Sequence, residues 1–313
     1  MVVPDRKPKV SVCVVTYNHE DYIAECLQSL VGQKTNFDFE IIVADDCSTD
    51  STGEIVQAFA NKHPDIIRTL MQPVNVGPTK NLLMTHALAR GEYIGHVDGD
   101  DCALPGKLQM QADCLDRNPD VSFCAHAVRV MGSDKLLGAG RKCPEIGTMR
   151  DLLMLGTYFV ASSVLFRRAH EFSHDEYMRE DSRPLVDYFL HIERASKGSI
   201  FLDRRPFGLY RVHPGGISRH PAYRQIIEDA YELAFDRALE LGVSKELVHA
   251  ARLKRRMAFS IARYMAGDIG GYKRQIRIDR TDWVAASAKH MVLHCTRFFP
   301  GLVGIYARLR GMT

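Results

Sequence analysis

The chain has 313 residues, of which 46% are apolar and 25% charged; this excludes a disordered polymer and suits one large α/β domain with an appendage, or two domains. The net charge is only +3, yet residues 251–313 hold 13 Lys and Arg against three acids, so the C-terminal end is expected to meet anions, either lipid headgroups or nucleic acid. Eight Cys without a CxxC pair argue for buried reduced thiols rather than a disulfide frame or a cysteine zinc site.

In chain order, residues 10–15, VSVCVV, form a continuous apolar run, the pattern of a strand buried on both faces of a parallel sheet. The polar loop TYNHEDY follows, and Ile23, Cys26, Leu27 and Leu30 then recur at helical spacing. FEIIVA, residues 39–44, reads as a second strand ending in Asp45-Asp46, after which Ser51 or Thr52 is placed to cap a helix. Residues 66–71 read as a third strand, Gly77-Pro78 opens a helix, and Gly91 closes it. EYIGHV, residues 92–97, is a fourth strand and runs into Asp98-Gly99-Asp100-Asp101. Further on, residues 121–130 and 160–166 read as strands, 184–196 as a helix, and 199–212 as two short strands. From about residue 220 the period turns helical, which puts a domain boundary near 218 and assigns 219–313 to a helical, basic C-terminal region.

Strands alternating with helices predict an α/β fold with a mostly parallel, Rossmann-like sheet flanked by helices. Ligands in such sheets bind beyond the carboxyl ends of the strands. The three polar clusters fall there: Thr16-Tyr17-Asn18, Asp45-Asp46 and Asp98 to Asp101.

Each cluster supports a chemistry and also a plainer reading. Asp98 and Asp100 flank Gly99, and paired carboxylates beside a flexible backbone can hold Mg²⁺ or Mn²⁺ against a leaving diphosphate. A solvated acidic turn also fits that spacing. Asp45 or Asp46 can accept hydrogen bonds from a base or ribose, or serve a helix-entry turn, since CSTDST is good capping sequence. Lys80 can pair with phosphate as a point charge or lie on a solvated helix face.

Taken together, the residues resemble the family 2 glycosyltransferases, whose fold is called GT-A. VSVCVVTYNHEDYIAECLQSL looks like that family's first strand and nucleotide loop, and EIIVADDCSTDST like its base-binding Asp segment. NVGPTKN resembles its Asn-x-Gly…Arg-Asn segment, with Lys80 where Arg is more usual. GEYIGHVDGDDCALPGKLQMQ looks like its metal motif and following helix. VASSVLFRR, VDYFLHIERASKG and YRVHPGGIS match later landmarks, so the resemblance spans roughly residues 9–218.

The resemblance implies roles. Thr16, Tyr17, Asn18, Asp45 and Asp46 would hold the nucleotide, with Lys80, Asp98 and Arg211 also on the nucleotide side. Asp98, Asp100 and His213 would hold a Mn²⁺ or Mg²⁺ ion, with Asp100 the main ligand. Asp187 would be the general base of an inverting transfer, and Asp181 the alternative. A surface acid at Asp187 and a structural loop histidine at His213 are the plainer readings.

The implied activity is transfer of a hexosyl or N-acetylhexosaminyl group from a nucleotide diphospho-sugar to an acceptor hydroxyl. A UDP-sugar is the favoured donor and a lipid-linked or surface glycan the expected acceptor, as in polysaccharide biosynthesis. Two alternatives remain: a sugar nucleotidyltransferase, although TYNHEDY lacks its Gly-rich basic loop, and a non-catalytic binder of nucleotide or glycan. Of the two anions that the basic C-terminal end suits, an anionic membrane is the expected partner and nucleic acid is not.

Residues 283–310 mix Trp283, Phe298, Phe299 and Tyr306 with Lys289, Arg297, Arg308 and Arg310. Such a segment suits peripheral attachment to an anionic membrane, or packing as a helix on the catalytic domain. No stretch reaches the roughly 18 apolar residues of a spanning helix, and MVVPDRKPKVSV lacks a signal-peptide core. The expected location is therefore cytoplasmic, on the inner face of the membrane if the tail binds there.

Overall fold

The computed structural model describes residues 7–171, 187–213, 215–216, 223–277, 294–296, 301 and 303. The first half alternates as its apolar periods predict: β1 (Val10–Thr16), α1 (Ile23–Val31), β2 (Phe39–Asp45), α2 (Thr52–Lys62), β3 (Ile67–Met71), α3 (Pro78–Ala87) and β4 (Tyr93–Asp98). β1 pairs in parallel with both β2 and β4, and β2 with β3. The core explains this order. Val10, Val12 and Val14 of β1 pack with Leu27 and Leu30 of α1 and Val56 of α2. On the other face, the Cys13 thiol reaches the Thr85 carbonyl of α3.

The chain continues through β5 (Cys102–Ala103), α4 (Lys107–Arg117), β6 (Val121–Val130), β7 (Leu136–Leu137), β8 (Ile146–Gly147) and α5 (Met149–Leu155). β9 (Leu165–Arg167), α6 (Asp187–Ala195) and β10 (Ser199–Tyr210) complete the sheet, whose main path runs β3-β2-β1-β4-β9-β6-β10-β5. β6 and β10 are parallel, whereas β9 is antiparallel to both β4 and β6. The result is a mixed α/β sheet flanked by helices, with its parallel pairs where the valine-rich runs put them.

Three local expectations differ from the structure. VASSVLF does not extend over 160–166: Ala161–Ser163 is a 3₁₀ turn and only Leu165–Arg167 is strand. Both the hydroxyl and the amide of Ser163 donate to the Val160 carbonyl (2.6 and 2.9 Å), a local bond that competes with sheet pairing. Residues 199–210 form one strand rather than two, because the register with β6 shifts on either side of Pro206 and so tolerates it. At α2, Ser51 precedes the helix without a side-chain cap bond. Asp50 takes that place, its Oδ1 accepting from the Thr52 amide at 2.9 Å.

The chain divides into two compact units, residues 1–230 and 231–313, with the division inside α7 (Arg224–Glu240). In the second unit α8 (Lys245–Met265) and α9 (Ile269–Gln275) bury Met257, Ile261, Tyr272 and Ile276 together with Val303. Of the amphipathic tail, only 294–296, 301 and 303 are among the described residues. Among the described residues no helix is long and apolar enough to cross a membrane.

Candidate active site

Register brings the polar ends together. Thr16 stands opposite Asp45 and Val15 opposite Asp98, so β1, β2 and β4 finish at one edge of the sheet. The loops beyond β1 and β2 are then stitched to each other. The Thr49 amide donates to Asn18 Oδ1 (2.9 Å) and the Asn18 amide to Ser48 Oγ (2.9 Å). The His19 amide donates to Thr52 Oγ1 (2.8 Å), the Glu20 amide to Asp50 Oδ2 (3.1 Å), and the Ser51 amide to Glu20 Oε2 (3.0 Å). Asn18 sits at φ 53°, a left-handed conformation that Asn tolerates. Tyr17 stands out at 42% exposure, free to stack on a flat ligand, whereas Thr16 is buried and its hydroxyl has no hydrogen-bond partner among the described residues.

The two acids after β2 face different work. Asp45 is buried and accepts from the hydroxyl and the amide of Ser48. Asp46 accepts from the Val76 amide (2.8 Å) and the Gly77 amide (2.9 Å), latching the loop that leads into α3. Burial raises the Asp46 carboxyl above its usual range, and those two amide bonds offset part of the rise. Lys80 lies in the first turn of α3, partly buried.

The acidic turn after β4 is held from several sides. Asp98 Oδ1 lies 3.1 Å from His96 Nε2, and Asp98 Oδ2 accepts from the Ser162 hydroxyl at 2.9 Å. Burial opposes ionisation of Asp98, but the charge and hydrogen bond of His96, with the Ser162 bond, hold its carboxyl below the usual range. Ser162 is fixed in turn from α4: Lys107 Nζ donates to its carbonyl (2.6 Å), and Gln111 donates to that of Ser163 (2.8 Å). A Cβ on Gly99 would stand 2.8 Å from Thr16 Oγ1 and 3.1 Å from His19 Nδ1, so only glycine passes between them.

Asp100 Oδ2 lies 2.9 Å from Nε2 of His213, which comes from the segment after β10. Arg211 donates its amide to buried Asp101 (2.9 Å) and its Nε to the Asp100 carbonyl (2.9 Å). Its guanidinium also pairs with Glu25 and stacks 4.8 Å from the Tyr22 ring. Arg211 therefore braces the acidic turn. Burial and the carboxylates of Asp98 and Asp100 push Asp101 up to about 7.

One oxygen each from Asp98, Asp100 and Asp101 fall within 4.8 Å of one another, and so do ligating atoms of His19, Asp100 and His213. Carboxylates this close repel unless a cation lies among them, and oxygen with imidazole donors suits a divalent first-row ion. The residues present fit such an ion. Asp187 opens α6, partly buried. Burial raises its carboxyl, the charge of His96 opposes the rise and that of Asp98 adds to it, so Asp187 lies within electrostatic reach of the acidic turn. The alternative base, Asp181, lies outside the described residues.

Four contributors escaped the motif reading, His19, His96, Lys107 and Ser162, while Asp101 stood in the acidic cluster without a role of its own. His19 is one of 13 histidines, and neither its loop nor the serine pair in VASSV carries a periodic signal. For Lys107 and Ser162 the contact is with a backbone carbonyl or a distant carboxylate, which only the folded chain brings near.

Residues 11–171 match the family described as Glycosyl transferase family 2. An uncharacterized protein of Mycobacterium tuberculosis is 31% identical over 266 residues, 83% of this chain and 75% of that one. The crystal structure of S. aureus TarS 1–349 in complex with UDP-GlcNAc is similar at TM-score 0.63 and 20% identity, over 88% of this chain and 78% of that one. The mannosyltransferase PcManGT from Pyrobaculum calidifontis, in complex with GDP-Man and Mn²⁺, is similar at TM-score 0.60 and 20% identity, over 99% and 84%.

Proposed function

The chain belongs to glycosyl transferase family 2, and from that premise we propose that it is an inverting hexosyl- or N-acetylhexosaminyltransferase of polysaccharide biosynthesis. Its donor is a nucleotide diphospho-sugar. A UDP-sugar is favoured and a GDP-sugar stands second, since the similar structures carry UDP-GlcNAc and GDP-Man. The acceptor is the hydroxyl of a lipid-linked or surface glycan.

In this reading Thr16, Tyr17 and Asn18 hold the base and ribose together with Asp45. Asp46 keeps the loop before α3 in place, so that Lys80 faces the diphosphate. Asp187 takes the proton of the acceptor hydroxyl as that oxygen bonds to the anomeric carbon and the bond to the diphosphate breaks, which inverts the configuration. A carboxylate raised by burial is the stronger base for this step. A divalent cation, Mn²⁺ or Mg²⁺, held by Asp98, Asp100 and His213 would supply positive charge to the departing diphosphate. Arg211 keeps the turn that carries those ligands in shape.

The observation that carries the proposal is that Asp100 meets His213 on one side and Asp98 on the other, beside two stitched nucleotide-side loops at the carboxyl edge of one sheet. The test is transfer from a labelled UDP-sugar to a lipid-linked glycan, with the product's anomeric configuration read by NMR. Inversion supports the proposal, and retention contradicts it. The basic tail, residues 283–310, would add peripheral attachment on the cytoplasmic side of an anionic membrane. Flotation with anionic liposomes tests that part, and no co-flotation removes it.

A further inference from the structure

We infer that His19 is a fourth protein ligand of the cation site, beside Asp98, Asp100 and His213, and that its imidazole, with that of His213 and the Asp100 carboxylate, makes a donor face that selects Mn²⁺ over Mg²⁺. The inference rests on the metal-dependent transferase reading above and goes beyond it in the ligand set and the ion.

Geometry carries it. Ligating atoms of His19, Asp100 and His213 all lie within 4.8 Å of one another. Donors ~2.1 Å from an ion stand ~3.0 Å apart when adjacent in an octahedron and ~4.2 Å apart when opposite. The three groups are therefore within a small side-chain adjustment of a shared ion. His213 and Asp100 already meet at 2.9 Å. The rings of His19 and His213 stand edge to face with centroids 6.0 Å apart, and Tyr22 packs at 4.8 Å from His213, which holds both imidazoles on one side of the turn.

A second observation points the same way. Nδ1 of His19 is buried without a hydrogen-bond partner among the described residues, and a buried imidazole nitrogen left unsatisfied calls for an explanation. The backbone of His19 is rigidly tied, its amide donating to Thr52 Oγ1 while the neighbouring Asn18 and Glu20 are bonded to the loop after β2. The ring is thus delivered to the acidic turn by a fixed loop. A ligand on such a support needs little ordering when the ion arrives.

The donor set decides the ion. Mg²⁺ demands hard oxygen ligands and keeps its waters, whereas imidazole suits transition ions, and two His with one carboxylate on one face is a recurring arrangement for them. With Asp98, Asp100 and His213 alone, the protein would contribute a single imidazole, and its preference for Mn²⁺ would be weaker.

The test uses the full chain without any nucleotide. Mn²⁺ binding is followed by the EPR signal of free Mn²⁺, with Mg²⁺ as competitor, for wild type, His19→Ala, His19→Gln and Asp100→Ala. Pulsed EPR counts the imidazole nitrogens on bound Mn²⁺. The expected result is two imidazoles in wild type and one in His19→Ala, with Mn²⁺ bound about tenfold or more weakly by the variant. In His19→Gln, which offers an oxygen, the Mn²⁺ over Mg²⁺ preference narrows. A single imidazole in wild type overturns the inference whether or not the variants fold. If Asp100→Ala loses Mn²⁺ while His19→Ala keeps wild-type affinity, His19 is not a ligand although the metal site stands. If neither variant weakens Mn²⁺, the metal reading itself falls, and this inference with it.

Discussion

His213 Nε2 lies 2.9 Å from Asp100 Oδ2, joining residues 113 positions apart in the chain. The pairing closes the site: Asp100 arrives from the end of β4, His213 from the segment after β10, and Arg211 ties the two by bonding the Asp100 carbonyl and the Asp101 carboxylate. The geometry leads to the following expectations.

Asp187→Asn should lower kcat for sugar transfer about 10²–10⁴-fold, the usual contribution of a positioned general base. Because Asp187 is assigned to the acceptor side, donor affinity measured by calorimetry should stay near wild type. A comparable loss in donor affinity would move Asp187 from base to binding residue.

Gly99→Ala should disturb the site more than the fold. The new Cβ would meet Thr16 Oγ1 at 2.8 Å, the Thr16 Cβ at 2.9 Å and His19 Nδ1 at 3.1 Å. Overpacking of this kind costs about 1–3 kcal/mol, so a thermal melt should show a modest drop in Tm. Donor and Mn²⁺ affinity should fall further than that drop alone would cause. Unchanged ligand affinity would show that Thr16 and His19 move aside freely.

Asp46→Ala should loosen the entry to α3. It removes the acceptor of the Val76 and Gly77 amides, charged hydrogen bonds worth about 1–3 kcal/mol in a buried setting. Amide exchange at Val76 and Gly77 should quicken, and the urea midpoint should fall. Asp46→Asn, which keeps one acceptor oxygen, should lie between the two. Unaltered exchange at both amides would contradict the latch.

Acid should destabilise the fold through buried histidines. Burial first, and then the charge of Lys107, depress His126 from 6.5 to about 3; its Nδ1 lies 2.9 Å from the Ala127 carbonyl. The folded state therefore favours neutral imidazole. Its contribution is fully present above the unfolded value and is lost as pH falls from 6.5 toward 3. At pH 5 the loss from this group is about 2 kcal/mol. Urea midpoints at pH 7 and pH 5 should therefore converge in His126→Gln relative to wild type, since Gln can bond the same carbonyl and does not titrate. Equal pH slopes in the two proteins would exclude the assignment.

The parallel half of the fold was legible because β1, β2 and β4 are buried on both faces and written as largely apolar runs, VSVCVV and EIIVA above all. Legibility failed where a hydroxyl or a proline changed the local rule, at Ser163 and at Pro206. In the site, Asp98 and Asp100 announce themselves by spacing, but Asp45 and Asp46 look alike in sequence. Their partners, Ser48 for one and the amides of Val76 and Gly77 for the other, exist only once the loops are folded. His213 was reachable through resemblance, whereas nothing around His19 distinguishes it until the loops after β1 and β2 are stitched together.

The most direct test of the central claim is calorimetric binding of UDP-, dTDP- and GDP-sugars to wild type and Asp100→Ala, with Mn²⁺, with Mg²⁺ and with chelator. One donor class should bind wild type in the presence of metal, and chelator or Asp100→Ala should abolish this binding while the variant remains folded. Donor binding that is indifferent to metal and to Asp100, or no binding of any nucleotide sugar by folded wild type, would contradict it.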